Sequence, residues 1–162
     1  MEDFGHASLR RLLAALPGAA QETHARLGDA TALVDRARLI EVLQLLRDDR
    51  ELQFDMLTDV TAVDLLPRTP RFEVVYHLYS LPRNHRVRIK ARVPEEDPQI
   101  DSAVSLYPSA NWMEREVWDL YGIRFRGHPD LRRLLLYEEF EGHPLRKDYP
   151  KERRQPLVGP RN

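Results

Sequence analysis

From Arg86 to Val93 the chain reads RVRIKARV, with Val87, Ile89, Ala91 and Val93 alternating with Arg86, Arg88, Lys90 and Arg92. A period of two sends successive side chains to opposite faces, so this run predicts a strand with one dry and one wet face. Two runs rich in β-branched and aromatic residues precede it, FDMLTDVTAVDLL from Phe54 and RFEVVYHLYSL from Arg71. Only PRTP and PRN separate the three, and connections this short predict an antiparallel meander. TALVD at 31–35 predicts a shorter strand, and IRFRG after Gly122 another.

Elsewhere the period is helical. Ser8 is placed to cap a first helix carrying Leu9, Leu12, Leu13 and Leu16 on one side, stopped by Pro17 and Gly18. Asp35 is placed to cap a second, in which Leu39, Ile40, Val42, Leu43, Leu45 and Leu46 recur up to Asp48. After PEEDP, helical sequence resumes near Asp101, breaks at Pro108 and restarts at Asn111. Helices laid on one sheet predict an α+β fold, an α/β sandwich whose mixed sheet is mostly antiparallel. Residues 1–142 are the expected domain and 143–162 an extended tail.

The last helix, NWMEREVWDLYG, holds the densest chemistry. Asn111 with Glu114 resembles a capping box, and Gly122 suits the C-terminal cap. Steps of 100° per residue gather Met113, Val117, Leu120 and Tyr121 into a core stripe. Trp118 falls outside it beside Glu114, while Arg115 and Asp119 stand at the pairing distance of four residues. Two readings compete: Trp118 covers a loop of its own chain, or it joins Glu114, Arg115, Glu116 and Asp119 in a protein interface, where aromatic and Arg side chains are enriched and charges must be paired. Catalysis by the carboxylates would need a cleft and a perturbed pKa.

Composition narrows the choice. With 42% hydrophobic and 31% charged residues in 162, the chain has the make-up of a soluble globular domain. No apolar run reaches the ~20 residues that span a bilayer, and the acidic start is unlike a secretory signal, so a cytosolic chain is expected. With no cysteine, the chain supplies no disulfide and no thiolate for zinc or an iron–sulfur cluster. Net charge is −1, but 143–162 carries six Lys/Arg (Arg146, Lys147, Lys151, Arg153, Arg154, Arg161) against Asp148 and Glu152, which makes the tail +4 and the body −5. An acidic body argues against a nucleic-acid module. The basic stripe of the last strand is read as solvated, with an acidic partner as the alternative.

GHP occurs twice, at 127–129 and 142–144. His128 and His143 with Glu138, Glu139 and Glu141 are conceivable metal ligands, but no HxxxH or HExxH spacing is present, and loop histidines ordinarily make turn hydrogen bonds.

EREVWDLYGIRFRGHPDLRRLLL, residues 114–136, and EGHPLRKDYP, residues 141–150, together resemble the signatures of the 30-kDa subunit of respiratory complex I, the C subunit of bacterial NADH:quinone oxidoreductase. Weaker similarity reaches back to about residue 30. The resemblance implies a peripheral-arm subunit at the cytoplasmic side of the cell membrane, without a transmembrane segment. It would bind no cofactor itself, while FMN, Fe–S clusters and quinone sit in partner subunits. Its implied partners are the 49-kDa-like (D) subunit and the Fe–S subunits, and nucleic acid is not among them. The interface it implies uses Glu114, Arg115, Glu116, Trp118, Asp119, His128, Arg132, Arg133, His143, Arg146, Lys147, Asp148 and Tyr149. Scaffolds of a membrane-bound hydrogenase, formate hydrogenlyase or photosynthetic NDH complex are the alternative. Many relatives continue past KDYP into a longer arm, whereas this sequence goes on only through KERRQPLVGPRN. The tail from Lys147 has few apolar residues and is expected to order only on a neighbour over 143–150 and to fray beyond.

Overall fold

The computed structural model describes residues 4–153 together with Gln155 and Pro156. The predicted meander is present: β3 (Met56–Asp64), β4 (Phe72–Ser80) and β5 (His85–Val93) pair antiparallel, with Tyr76 opposite Val60 on one side and Ile89 on the other. The predicted strand at 31–35 is β2 (Thr31–Val34), which lies parallel to β5, and β1 (Ala20–His24) pairs antiparallel beyond it. The five-stranded order β1-β2-β5-β4-β3 is therefore mixed with one parallel junction, as an α+β fold with a mostly antiparallel sheet requires. AQETH, which forms β1, has almost no buried side chain, so this edge strand carried no alternating signal.

Helix α1 (Phe4–Ala15) begins before the expected cap: Ser8 lies inside it and is buried. Asp35 caps as expected, accepting the Ala37 N–H at 2.9 Å, although it opens a single 3-10 turn at Arg36–Arg38 that leads into α2 (Leu39–Asp48). Leu39, Val42, Leu43 and Leu46 of α2 are buried with Val74, Tyr76, Leu78, Val87, Ile89, Ala91 and Val93 of the meander in one core. The helix expected from near Asp101 is not there. Gln99–Asp101 instead form β6, which pairs parallel with β7 (Arg124–Arg126), the strand predicted from IRFRG. Three-residue strands are too short to show a period.

On the wet face of β5 the basic stripe meets acids from other segments: Arg88 reaches Asp29 at 3.3 Å, Lys90 reaches Glu73 at 2.9 Å and Arg92 approaches Glu22 at 3.8 Å. Arg86 lies over the Tyr79 ring at 5.8 Å. Across the sheet the stripe is thus largely neutralised.

Candidate functional site

Helix α3 (Ala110–Tyr121) contacts β3 and ends at Gly122, whose φ of 74° is the left-handed cap expected. Its beginning departs from expectation. Ser109 occupies the cap position, but its hydroxyl donates to the Leu57 carbonyl and makes no cap bond to the helix, and Glu114 does not reach back to close a capping box. It points inward, fully buried, where one carboxylate oxygen accepts the Ser102 hydroxyl at 2.6 Å and the other the Ala103 N–H at 2.7 Å. Burial pushes its carboxyl up to about 7, and these two donors only partly oppose that.

Arg115 and Asp119 do not pair with each other. Arg115 donates to the carbonyls of Arg132 and Arg133 at 3.1 and 3.0 Å. Asp119, also fully buried, accepts the N–H groups of Leu134, Leu135 and Leu136 at 3.0, 2.8 and 2.9 Å on one oxygen and the Arg133 guanidinium at 2.7 Å on the other. One turn of α3 thus offers a cation to the carbonyls of a loop and an anion to its next amides, and the loop needs no secondary structure of its own to satisfy its backbone. Burial alone would raise the Asp119 carboxyl, but the three amides and Arg133 outweigh it and leave it below the usual carboxylate range.

The two GHP turns bracket the same helix. The His128 Nε2–H donates to the Asn111 carbonyl at 3.0 Å while its Nδ1 accepts the Asp130 N–H, which fixes the tautomer. At the other end the last carbonyls of α3, which have no partner within the helix, are taken by the second motif: His143 Nδ1–H on Asp119, Leu145 N–H on Leu120 and Arg146 Nε–H on Tyr121, at 2.9, 3.1 and 2.6 Å. Only glycine fits beneath them, since a Cβ on Gly122 would stand 2.5 Å from the His143 ring and 2.7 Å from Arg146.

Beyond that cap the chain meets a hub of charge. Arg71, 3% exposed, donates to Asp64 at 3.1 and 2.8 Å, to Glu95 at 2.5 Å and to Asp148 at 3.0 and 2.6 Å. Asp64 also accepts the Lys147 N–H at 2.8 Å. Burial disfavours ionised Asp64, yet Arg71 and the Lys147 and Leu66 amides hold it well below the usual carboxylate range. The Arg71 and Arg146 guanidinium groups lie 4.9 and 5.1 Å from the centre of the Phe72 ring. Tyr149 stacks on Phe140 and accepts a bond from Gln155. Residues 143–150 are therefore fastened to their own domain, which corrects the expectation that only a neighbour would order them. A stretch poor in apolar groups can order when buried charges bond its backbone. Of the basic tail, Arg154 and residues 157–162, including Arg161, lie outside the described residues.

The signature residues thus divide. Glu114, Arg115 and Asp119 are buried as internal anchors, and Arg133, His128, His143, Arg146, Lys147 and Asp148 each bond within the chain, Lys147 and Asp148 while exposed. Glu116 is exposed, and Arg132, 73% exposed, pairs with Asp130. Trp118, expected off the core stripe, is partly buried and packs on the core with Arg133 over its ring, while Trp112 is 61% exposed with the Arg115 guanidinium 4.9 Å from its ring. The sequence reading missed Trp112, Leu135, Asp64 and Arg71. Asp64 had a signal: it shares the inward parity of Val60 and Ala62 on β3, so a charge stood where the pattern demands an apolar residue. Among the described residues no three His, Asp or Glu side chains gather as a metal site would require.

This arrangement of α3 and its strapped loops spans the two sequence signatures, and residues 32–155 match the family model of the respiratory-chain NADH dehydrogenase 30 Kd subunit. The chain belongs to this family. The C subunit of the NADH-quinone oxidoreductase of Citrifermentans bemidjiense is 53% identical over 123 residues, 76% of this chain and 75% of that protein. A trypsin-resistant fragment (1–134) of Nqo5 superposes with a TM-score of 0.67 at 36% identity, over 76% of this chain and 99% of the fragment. A chain of the membrane-bound sulfane sulfur reductase, an archaeal respiratory membrane complex, superposes with a TM-score of 0.80 over 92% of this chain and 87% of its own, and at 24% identity it shows the shared fold alone. This 30-kDa-family chain is a subunit of an NADH-quinone oxidoreductase, an oxidoreductase complex of several subunits. Among its described residues no helix is long and apolar enough to cross a membrane.

Proposed function

We propose that the chain is a non-catalytic structural subunit of the peripheral arm of an NADH-quinone oxidoreductase, docked on the 49-kDa-like (D) subunit and the Fe–S subunits at the cytoplasmic side of the cell membrane. In this reading NADH is oxidised at a flavin, and electrons pass through clusters to quinone in those neighbours, with proton translocation in the membrane arm. The observation that carries it is where the charges of the signature go. Glu114 and Asp119 are fully buried, and Asp119 and Arg115 bond the backbone of the loop beside α3. Acids used in this way shape a surface and are not poised for proton transfer with a solute. The surface they shape exposes large apolar side chains, Trp112 at 61%, Leu135 at 62% and Leu145 at 50%, on backbone held in place, and preorganised anchors of this kind suit protein docking.

The test is affinity isolation of the tagged full chain from detergent-solubilised membranes. Recovery with the D-like and Fe–S subunits, flavin and NADH-quinone reductase activity is the expected result. Recovery with a hydrogenase or sulfur-reducing assembly would transfer the scaffold role to that machine, and a solitary chain with turnover of its own would end the proposal.

A further inference from the structure

We propose that residues 143–150 form a strap with two unequal anchors, and that the Arg71–Asp148 ion pair is the latch that sets how often its far end opens. The near anchor is the C-terminus of α3, where His143, Leu145 and Arg146 occupy three carbonyls over Gly122. The far anchor is Arg71, and its three carboxylates are not equivalent. Asp64 and Arg71 stand at the facing ends of β3 and β4, with side chains 2% and 3% exposed, so their bond belongs to the body and survives whatever the strap does. Asp148 comes from the strap and is 52% exposed. Glu95, 54% exposed, shares the same Nη1 of Arg71, so the guanidinium keeps two carboxylates when Asp148 leaves.

Opening therefore strands no buried charge. It breaks the two Asp148 bonds, the Lys147 N–H bond to Asp64 and the Lys147 Nζ bond to the Leu66 carbonyl, while Arg146 stays on Tyr121 and over Phe72. A half-exposed carboxylate regains water on release, which makes this the weaker of the two anchors. Closure sets where the chain beyond Pro150 leaves the body, while the near anchor holds Leu145 on the surface, so ordering is already done before any partner arrives. These contacts all lie within the chain, so the latch stands whether or not the complex reading does.

Amide hydrogen exchange on the full chain tests it. In Asp148→Asn the Lys147 amide is expected to exchange about tenfold faster, because a bidentate charge-assisted pair is lost, while the Leu134, Leu135 and Leu136 amides on Asp119 keep their protection. Trypsin should cleave after Lys147 correspondingly faster. Glu95→Gln, which leaves Asp148 in place, should do neither. Unchanged exchange at Lys147 in Asp148→Asn overturns the latch, as does equal acceleration at Leu134–Leu136 or in Glu95→Gln. Should Asp148→Asn fail to fold, salt titration of the unmodified chain gives the same reading: screening should accelerate Lys147 selectively, and a flat response refutes the proposal.

Discussion

Glu114 is a carboxylate in the core whose bonded partners among the described residues are a hydroxyl and an amide, and replacing it by glutamine isolates the cost of that burial. The glutamine oxygen can accept the Ala103 N–H and its amide can donate to the Ser102 oxygen, so shape and bond count are preserved while the ionisable group is removed. Its carboxyl is raised from 4.5 to about 7, chiefly by burial. A raised carboxyl pKa means that the folded state binds a proton the unfolded chain releases, so stability is present below the unfolded pKa and is lost as pH rises through the folded one. At 1.36 kcal/mol per pH step, the wild type should lose about 2.5 kcal/mol between about pH 5 and about pH 8 through this group, and Glu114→Gln should not. Urea unfolding of both proteins at those two pH values measures the difference, and all other titrating groups cancel. The expected outcome is near-equality in acid and a variant more stable by about 2–3 kcal/mol in mild alkali. Parallel stability curves, or a variant weaker at both pH values, would refute the claim that Glu114 is buried without a compensating charge.

Asp119→Ala removes the acceptor of three amides and leaves Arg133 with carbonyl partners but without its carboxylate, and a loss of about 3–5 kcal/mol in denaturant unfolding is expected, with new tryptic cleavage at Arg132 and Arg133. The two tryptophans should separate cleanly: Trp118→Ala costs about 2 kcal/mol as a half-buried aromatic against the core, whereas Trp112→Ala stays within about 0.5 kcal/mol in melting yet weakens assembly into the complex. Gly122→Ala should cost about 1–3 kcal/mol, measured by urea, since the left-handed cap is strained and the new Cβ displaces His143 and Arg146. Below the usual carboxylate range, stability held by the depressed Asp64 is lost as pH falls, so Asp64→Asn should be weaker at neutral pH and flatten the acid limb of a stability curve.

The strand period in β3, β4 and β5, the α2 stripe and the Gly122 cap were legible in the sequence because each depends on neighbours a few residues away. The family was legible too, through EREVWDLYG and the two GHP motifs. What those motifs do was not. Helical spacing suggested that Arg115 pairs with Asp119, which failed, and left two readings of Trp118, of which packing on its own chain is the one seen. A loop some fifteen residues downstream supplies better partners for both charges, and it packs against the side of α3 that the wheel left to solvent. Likewise, nothing near Arg71 in sequence points to Asp148, 77 positions away.

By itself, then, the sequence determined the meander, the helices on it and the kinship, since hydrophobic period and turn chemistry are local. Only the tertiary structure decided that Glu114, Arg115 and Asp119 are internal anchors, that Trp112, Leu135 and Leu145 stand exposed, and that residues 143–150 are bound to their own body. Those outcomes depend on which long-range partner satisfies a buried charge, and a buried charge takes whichever donors the folded chain brings within hydrogen-bond reach.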